Sequence, residues 1–251
     1  MESTIVASHF KRERRPPIVW YYNCFSVGYP ENNLYINCLI LSVKSLLRSG
    51  TYQPQDKLVI LTDPGTAKIL QGFRSIQGAT LALYEQPLDV FHGALNRYTI
   101  LQRLNAPNGT RFIYLDCDLL FIKKWDPVFT KHWMAFPEGK PGDSNYCGDY
   151  TLDKMEAGAS STLFGFIVSE EAKKFLDATF NNAKRRGESF YTLDQPYYNQ
   201  VLNCRRAYWD YFNGNLISFN GHNNKDTAVI LNLCGDPGDG ALHFRKMLDC
   251  S

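Results

Sequence analysis

The chain alternates blocks of unbroken apolar residues with amphipathic stretches. IVWYYNCF (18–25) is β-branched and aromatic almost throughout, which predicts a strand. LYINCLILSVKSLLRSG (34–50) spaces its apolar residues three and four apart, predicting a helix that Gly50 would end. KLVILTD (57–63) predicts a second strand, and a second helix starts after it within 64–73. ATLALYEQP (79–87) predicts a third strand closed by proline, ALNRYTILQRL (94–104) a helix, and RFIYLDCDLLFI (111–122) a fourth strand. Strands that are apolar on every residue are covered on both faces, as in a parallel sheet wound between helices. Beyond residue 127 the pattern loosens. HWMAFPEG and STLFGFIVS (161–169) predict strands, EEAKKFLDATFNNAKRRG a helix ending at Gly187, and TLDQPYYNQVLN the start of another. Residues 213–251, rich in Gly and Asn, read as mostly irregular. With no linker or repeat in view, the expectation is one α/β domain with a mostly parallel central sheet.

Composition changes this picture little. A chain of 251 residues that is 44% hydrophobic can bury a full core, and its net charge of +2 gives no reason to expect a nucleic-acid partner. The cluster HFKRERRPP (9–17) reads as part of a flexible basic tail over 1–17, or as a peripheral contact with phosphate or a lipid surface. The seven cysteines are odd in number and irregularly spaced, without a CxxC pair, and several sit inside apolar runs. They predict buried reduced thiols, not a zinc site or disulfide framework, and with them a cytoplasmic setting. Neither a leader peptide nor a transmembrane segment is expected.

The chemistry concentrates at LDCDLL. Sixteen aspartates in this length produce roughly one Asp-x-Asp by chance, so position must supply the meaning. Asp116 and Asp118 end a strand that the preceding units place centrally, and ligands of open α/β sheets bind beyond the carboxyl ends of such strands. Hard carboxylate oxygens there suit Mg²⁺ or Mn²⁺, which bridge phosphates. A turn, with Asp126-Pro127 nearby, is the plain alternative. A phosphatase of the haloacid dehalogenase type would carry its Asp-x-Asp on the first strand, followed by Thr or Val. Leu119 and Leu120 follow here. No phosphate-binding GxxxxGK[ST] loop is present, nor the Gly-rich basic loop of a nucleotidyltransferase.

Four stretches in order resemble nucleotide-sugar glycosyltransferases of the GT-A fold, most closely family 8, the glycogenin and bacterial galactosyltransferase type. They are YYNCFSVGYPENNLYINCLILSVKSLL, ALNRYTILQRL with RFIYLDCDLLFIKKWDPVF, STLFGFIVS with TLDQPYYNQVLN, and ALHFRK. In the last, the family's Gly and Lys-Pro-Trp are missing, and Pro196 replaces an acidic residue after the Asp-Gln pair. The resemblance implies a Rossmann-like α/β/α sandwich over 18–251, with 18–127 binding nucleotide and 128–251 binding acceptor. It implies transfer of a sugar from a UDP-sugar to a saccharide or glycan, with retention of configuration. A catalytically silent module that binds nucleotide sugars, or a metal-dependent phosphatase, are the alternatives.

The resemblance also implies roles. Asp116 and Asp118 would hold the cation with His243 as third ligand, and an imidazole favours Mn²⁺ over Mg²⁺. Arg97 would pair with phosphate or anchor the aspartates, and Lys246 or Arg245 would neutralise the leaving diphosphate. Asn23, Phe25 and Tyr35 would surround the nucleoside base, and Asp63 would reach the nucleoside. Asp194 and Gln195 would face the anomeric carbon. Each has an ordinary counterpart: a packed histidine, a solvated arginine, core aromatics, and for Asp194 a helix N-cap.

Overall fold

In the computed structural model, residues 15–29, 31, 33, 35–149, 151–187, 193–219 and 226–233 are described. The expected βα series is present. Strands β1 (Ile18–Asn23), β2 (Lys57–Thr62), β3 (Thr80–Leu83) and β4 (Arg111–Leu115) lie parallel in the order β3-β2-β1-β4. β1 shows why its sequence is apolar at every position. Trp20 and Tyr22 enter one core cluster, whereas Val19 and Tyr21 enter the cluster on the other face.

Helix α1 (Tyr35–Arg48) covers the first face, and Gly50 beyond it takes a left-handed φ of 75°. Between β2 and β3 comes α2 (Pro64–Leu70). The segment read as one helix over 94–104 is broken in three: α3 (Val90–Leu95), a 3₁₀ turn at Asn96–Thr99, and α4 (Ile100–Arg103). The 3₁₀ turn carries Arg97 into the protein, where it is buried.

The fourth strand also departs from the sequence reading. RFIYLDCDLLFI is two strands in two sheets. β4 ends at Leu115, and β5 (Leu119–Phe121) joins a small second sheet, leaving Asp116, Cys117 and Asp118 as the turn between them. Both flanks are buried, so their apolarity reads as continuous, and only the charged residues mark the break.

In the second half, β6 (Trp133–Pro137) is followed by α5 (Ser144–Cys147), β7 (Ala159–Ile167), α6 (Glu170–Arg186), α7 (Gln195–Cys204) and β8 (Trp209–Tyr211). The large sheet continues from β4 through β7, β6 and β8, with β7 its one antiparallel member. Both halves thus build one mostly parallel, seven-stranded sheet, and α6 and α7 cover its second face. The stretch read as irregular contains β9 (Ile217–Phe219) and β10 (Ile230–Asn232), which complete the small sheet in the order β5-β10-β9. Strands of three residues are too short to show an alternating pattern. Among the described residues no helix is long and apolar enough to cross a membrane.

Candidate functional site

The carboxyl ends of β1, β2, β4 and β6 share one edge of the sheet, and the acidic turn lies on it. Asp116 stays tied to the sheet through its N–H, which donates to Thr162 O on β7 at 2.9 Å. Opposite, the pairing of β7 with β6 jumps from Phe164 to Ser160, so residues 161–163 bulge beside the turn. Bulges of this kind re-aim side chains near binding sites. Asp118 is buried, and its carbonyl accepts from Leu233 N at 3.2 Å, fixing the turn to the small sheet.

Arg97 organises the carboxylates. Its Nη1 stands 3.3 Å from Asp116 Oδ1, and its Nη2 is 3.8 Å from Asp194 Oδ1. The guanidinium is held by Ala94 O at 2.9 Å and Ser161 O at 3.0 Å, and stacks 4.7 Å over the ring of Tyr114. The Tyr114 hydroxyl donates to Asp116 Oδ1, and the Tyr98 hydroxyl donates to Asp194 Oδ2. One cation therefore serves two carboxylates, with Asp118 a third close by. Burial pushes the Asp116 carboxyl up to about 7, with Asp118 and Asp194 adding to the rise against Arg97 and the Tyr114 hydrogen bond. Its side chain remains 30% exposed, and no described residue hydrogen-bonds its Oδ2. Asp116 and Asp118 are the residues whose oxygens could hold a hard cation. Among the described residues no group of three metal-ligating side chains converges.

The fold is that of a solved glycosyltransferase. The chain is similar to the apo structure of WbbM, a bifunctional glycosyltransferase, with a TM-score of 0.59 at 10% identity over 92% of this chain and 49% of that one. It thus spans about half the length of WbbM. No protein-family model and no curated protein matches the chain.

Asp194 occupies the residue before α7, yet its side chain makes no capping bond and turns inward to Arg97 and Tyr98, leaving it 1% exposed. It stands at the N-cap position, with its carbonyl accepting from Tyr197 N and Tyr198 N, but its side chain does not cap. Leu193, just before it, holds a left-handed φ of 51°, a costly conformation for a residue with a side chain. Gln195 accepts from Ser161 N at 2.8 Å and donates to Asn145 O at 3.3 Å. With both amide ends engaged by main chain, it occupies a positioning place. Asn199 adds a second latch on Ala159, accepting from its N–H and donating to its carbonyl.

At the end of β1, Asn23 donates to Gly93 O at 2.8 Å and Ala94 O at 3.3 Å, while its buried Oδ1 has no partner among the described residues. Phe25 is half-buried, edge-on to Tyr84 at 5.7 Å, and Tyr35, the first residue of α1, packs against the core. Asp63 is buried and fully engaged. It caps α2 through Thr66 and binds Ser26 by backbone and hydroxyl, and those hydrogen bonds hold its pKa low against burial. It shapes the loop after β1. His243, Arg245 and Lys246 lie outside the described residues.

Three participants were not singled out from sequence. Tyr114 stands two residues before Asp116 on one strand face, a spacing that could have flagged it. Tyr98 carried no such signal. Glu138 follows β6 on the same sheet edge; burial raises its pKa, opposed by hydrogen bonds with Ser160 and Tyr146.

Proposed function

We propose that this protein transfers a sugar from a nucleotide sugar, a UDP-sugar, to a saccharide or glycan acceptor with retention of configuration. The observation that carries the reading is the charge arrangement at the carboxyl edge of the sheet: Asp116 and Asp194 share one guanidinium with Asp118 beside them. Two carboxylates that share a single guanidinium gain further stabilisation from a second cation. The glycosyltransferase fold and the family 8-like motifs agree with this reading.

Two carboxylates with an open Asp116 oxygen fit a hard divalent ion that takes its remaining ligands from a diphosphate. Asp116 and Asp118 would hold that Mn²⁺ or Mg²⁺ ion, with His243 the candidate for a further ligand. Once bound, the ion supplies electrostatic stabilisation of the departing nucleoside diphosphate. Arg97 orients Asp116 and Asp194 at once. Asp194, buried and held by Tyr98 and Arg97, would act on the sugar centre through its field and through the placement of Arg97 and Gln195, not by contact. Asn23 Oδ1 offers an acceptor to a base N–H, and Phe25 an aromatic edge for the ring. Lys246 or Arg245 would meet the leaving phosphate charge.

The test is calorimetric titration with UDP and with GDP, each with and without Mn²⁺, on the wild type and Asp118→Ala. Metal-dependent UDP binding that the variant lacks is the expected result. A screen of nucleotide sugars for slow Mn²⁺-dependent hydrolysis then identifies the donor. The absence of any nucleotide binding would sink the proposal, and binding without turnover of any donor would leave a silent sugar-nucleotide module.

A further inference from the structure

Helix α7 carries a row of amides that runs on past Gln195. Gln195, Asn199 and Asn203 follow one another at helical spacing, so they share one face of α7, and all three are buried. Each engages main chain with both ends of its amide. Asn203 accepts from Lys154 N at 3.0 Å and donates to Thr151 O at 2.8 Å. Asn199 accepts from Ala159 N at 2.7 Å and donates to Ala159 O at 2.6 Å. Gln195 accepts from Ser161 N at 2.8 Å.

The three rungs differ in what lies beyond them. Past Ser161, two successive carbonyls of the β7 bulge turn to the acidic site. Ser161 O accepts from Arg97 Nη1 at 3.0 Å, and Thr162 O accepts from Asp116 N at 2.9 Å. The bulge therefore holds both members of the Arg97–Asp116 pair, which stand 3.3 Å apart. A bulge interrupts the ladder that would otherwise fix it, so other groups must set its shape. β4 stops pairing with β7 at Leu163. Beyond that point Asn199 gives Ala159 the donor and the acceptor that a neighbouring strand would supply.

We propose that Asn199 is a positioning residue of the site. Through Ala159 it sets the β7 bulge together with Gln195, and through the bulge it sets Arg97 against Asp116. Asn203 makes the same kind of bonds to main chain that precedes the bulge, with no site residue beyond it. The positioning stands on hydrogen bonds within the protein, while its effect on ligand binding rests on the proposed function.

Asn199→Ala and Asn203→Ala, made in the full chain, delete two matched rungs. Each leaves a buried N–H and a carbonyl without a partner, so both should lower Tm by several degrees. The nitrogen-15 spectrum of the arginine side chains then reads Arg97 directly, its Nε–H signal being the one lost in Arg97→Lys. In Asn199→Ala that signal should shift, and its hydrogen exchange should quicken by roughly tenfold or more. In Asn203→Ala it should match the wild type. UDP titration with Mn²⁺ should show affinity lowered roughly tenfold in the first variant and unchanged in the second. If the two variants move the Arg97 signal alike, or neither moves it, Asn199 is a structural rung only and the proposal is overturned. A moved signal with unchanged affinity overturns the effect on binding. Should Asn199→Ala fail to fold, Gln195→Met frees Ser161 N at similar side-chain length, and an unmoved Arg97 signal there overturns the proposal equally. If the wild type binds no UDP, the proposed function fails, and the Arg97 signal still decides the positioning.

Discussion

Two buried arginine–aspartate arrangements sit at opposite ends of the same sheet. At the amino end, Asp56 receives Arg15 through both oxygens, at 2.9 and 2.5 Å, along with Ile18 N, Trp20 Nε1 and Gln53 N. Its side chain is fully buried and meets one cation of its own. At the carboxyl end, Arg97 is divided between Asp116 and Asp194, and Asp116 keeps a partly open carboxylate. The first pair is balanced and closes the structure where β1 and β2 begin. In the second, two carboxylates share one guanidinium, and Asp116 stays partly open. Arginine beside aspartate thus carries no functional meaning until the donors and charges around it have been counted.

The comparison breaks most visibly at Asp56. Asp56→Ala leaves Arg15 buried without its partner and strips Trp20 and two main-chain N–H groups of their acceptor. A loss of about 3–5 kcal/mol is expected, lowering Tm by on the order of 10 °C in calorimetry. UDP affinity of the protein that stays folded should not change. Asp118→Ala should behave in the opposite sense. It removes one of the two proposed cation ligands, so Mn²⁺-dependent UDP affinity should fall by about 100-fold, with a smaller change in Tm than at Asp56. If both variants lose stability alike and binding alike, the distinction between the two ends fails.

A third change sharpens the comparison, because it can be made at both ends. Lysine keeps the charge of arginine but lacks its fork. Arg97→Lys cannot reach Ala94 O, Ser161 O and two carboxylates from one ammonium. Donor hydrolysis should drop roughly tenfold, with a stability cost of about 1–3 kcal/mol. At Arg15→Lys the carboxylate keeps its three other donors, so the cost should be about 1 kcal/mol and hydrolysis should be unaffected.

How far this contrast was legible in the sequence depends on the residue. Runs such as IVWYYNCF and KLVILT announced their strands because both sheet faces are covered, and α6 announced itself by amphipathic spacing. Asp116 and Asp118 were legible because charge inside an apolar run is costly and so stands out. The split of that run into two sheets was not, since Leu115 and Leu119 are equally buried in either case. The inward turn of Asp194 was hidden for another reason. A helix-preceding Asp usually caps, and only the positive φ at Leu193 and the distant Tyr98 redirect it. Arg97 as an anchor of the aspartates was legible only through the family resemblance; periodicity alone gives a solvated helix-face arginine, because it cannot foresee a 3₁₀ turn inside a helix. Asp56 drew no notice at all, as nothing local announces five donors converging from four residues.

The smallest predicted effect concerns protons. Burial first, then Asp118 and Asp194, hold the Asp116 carboxyl at about 7 in the folded protein, against an ordinary value of about 3.9 in the unfolded chain. Between those values the native state keeps a proton that the unfolded state has released, so this group's contribution to stability is present below pH 4 and is lost as pH rises toward 7. Other carboxylates act in the opposite direction; Asp63, with its lowered pKa, loses its contribution as pH falls. The informative quantity is therefore the difference in Tm between wild type and Asp116→Asn across pH 4–8. That difference should shift by a few degrees against the wild type as pH increases, then level off above 7. Saturating Mn²⁺ should reverse the trend in the wild type, because the ion takes the carboxylate form and releases its proton. The reversal should be absent from Asp116→Asn. A flat difference would mean that Arg97 neutralises Asp116 as fully as Arg15 neutralises Asp56, and the two ends of the sheet would then be alike.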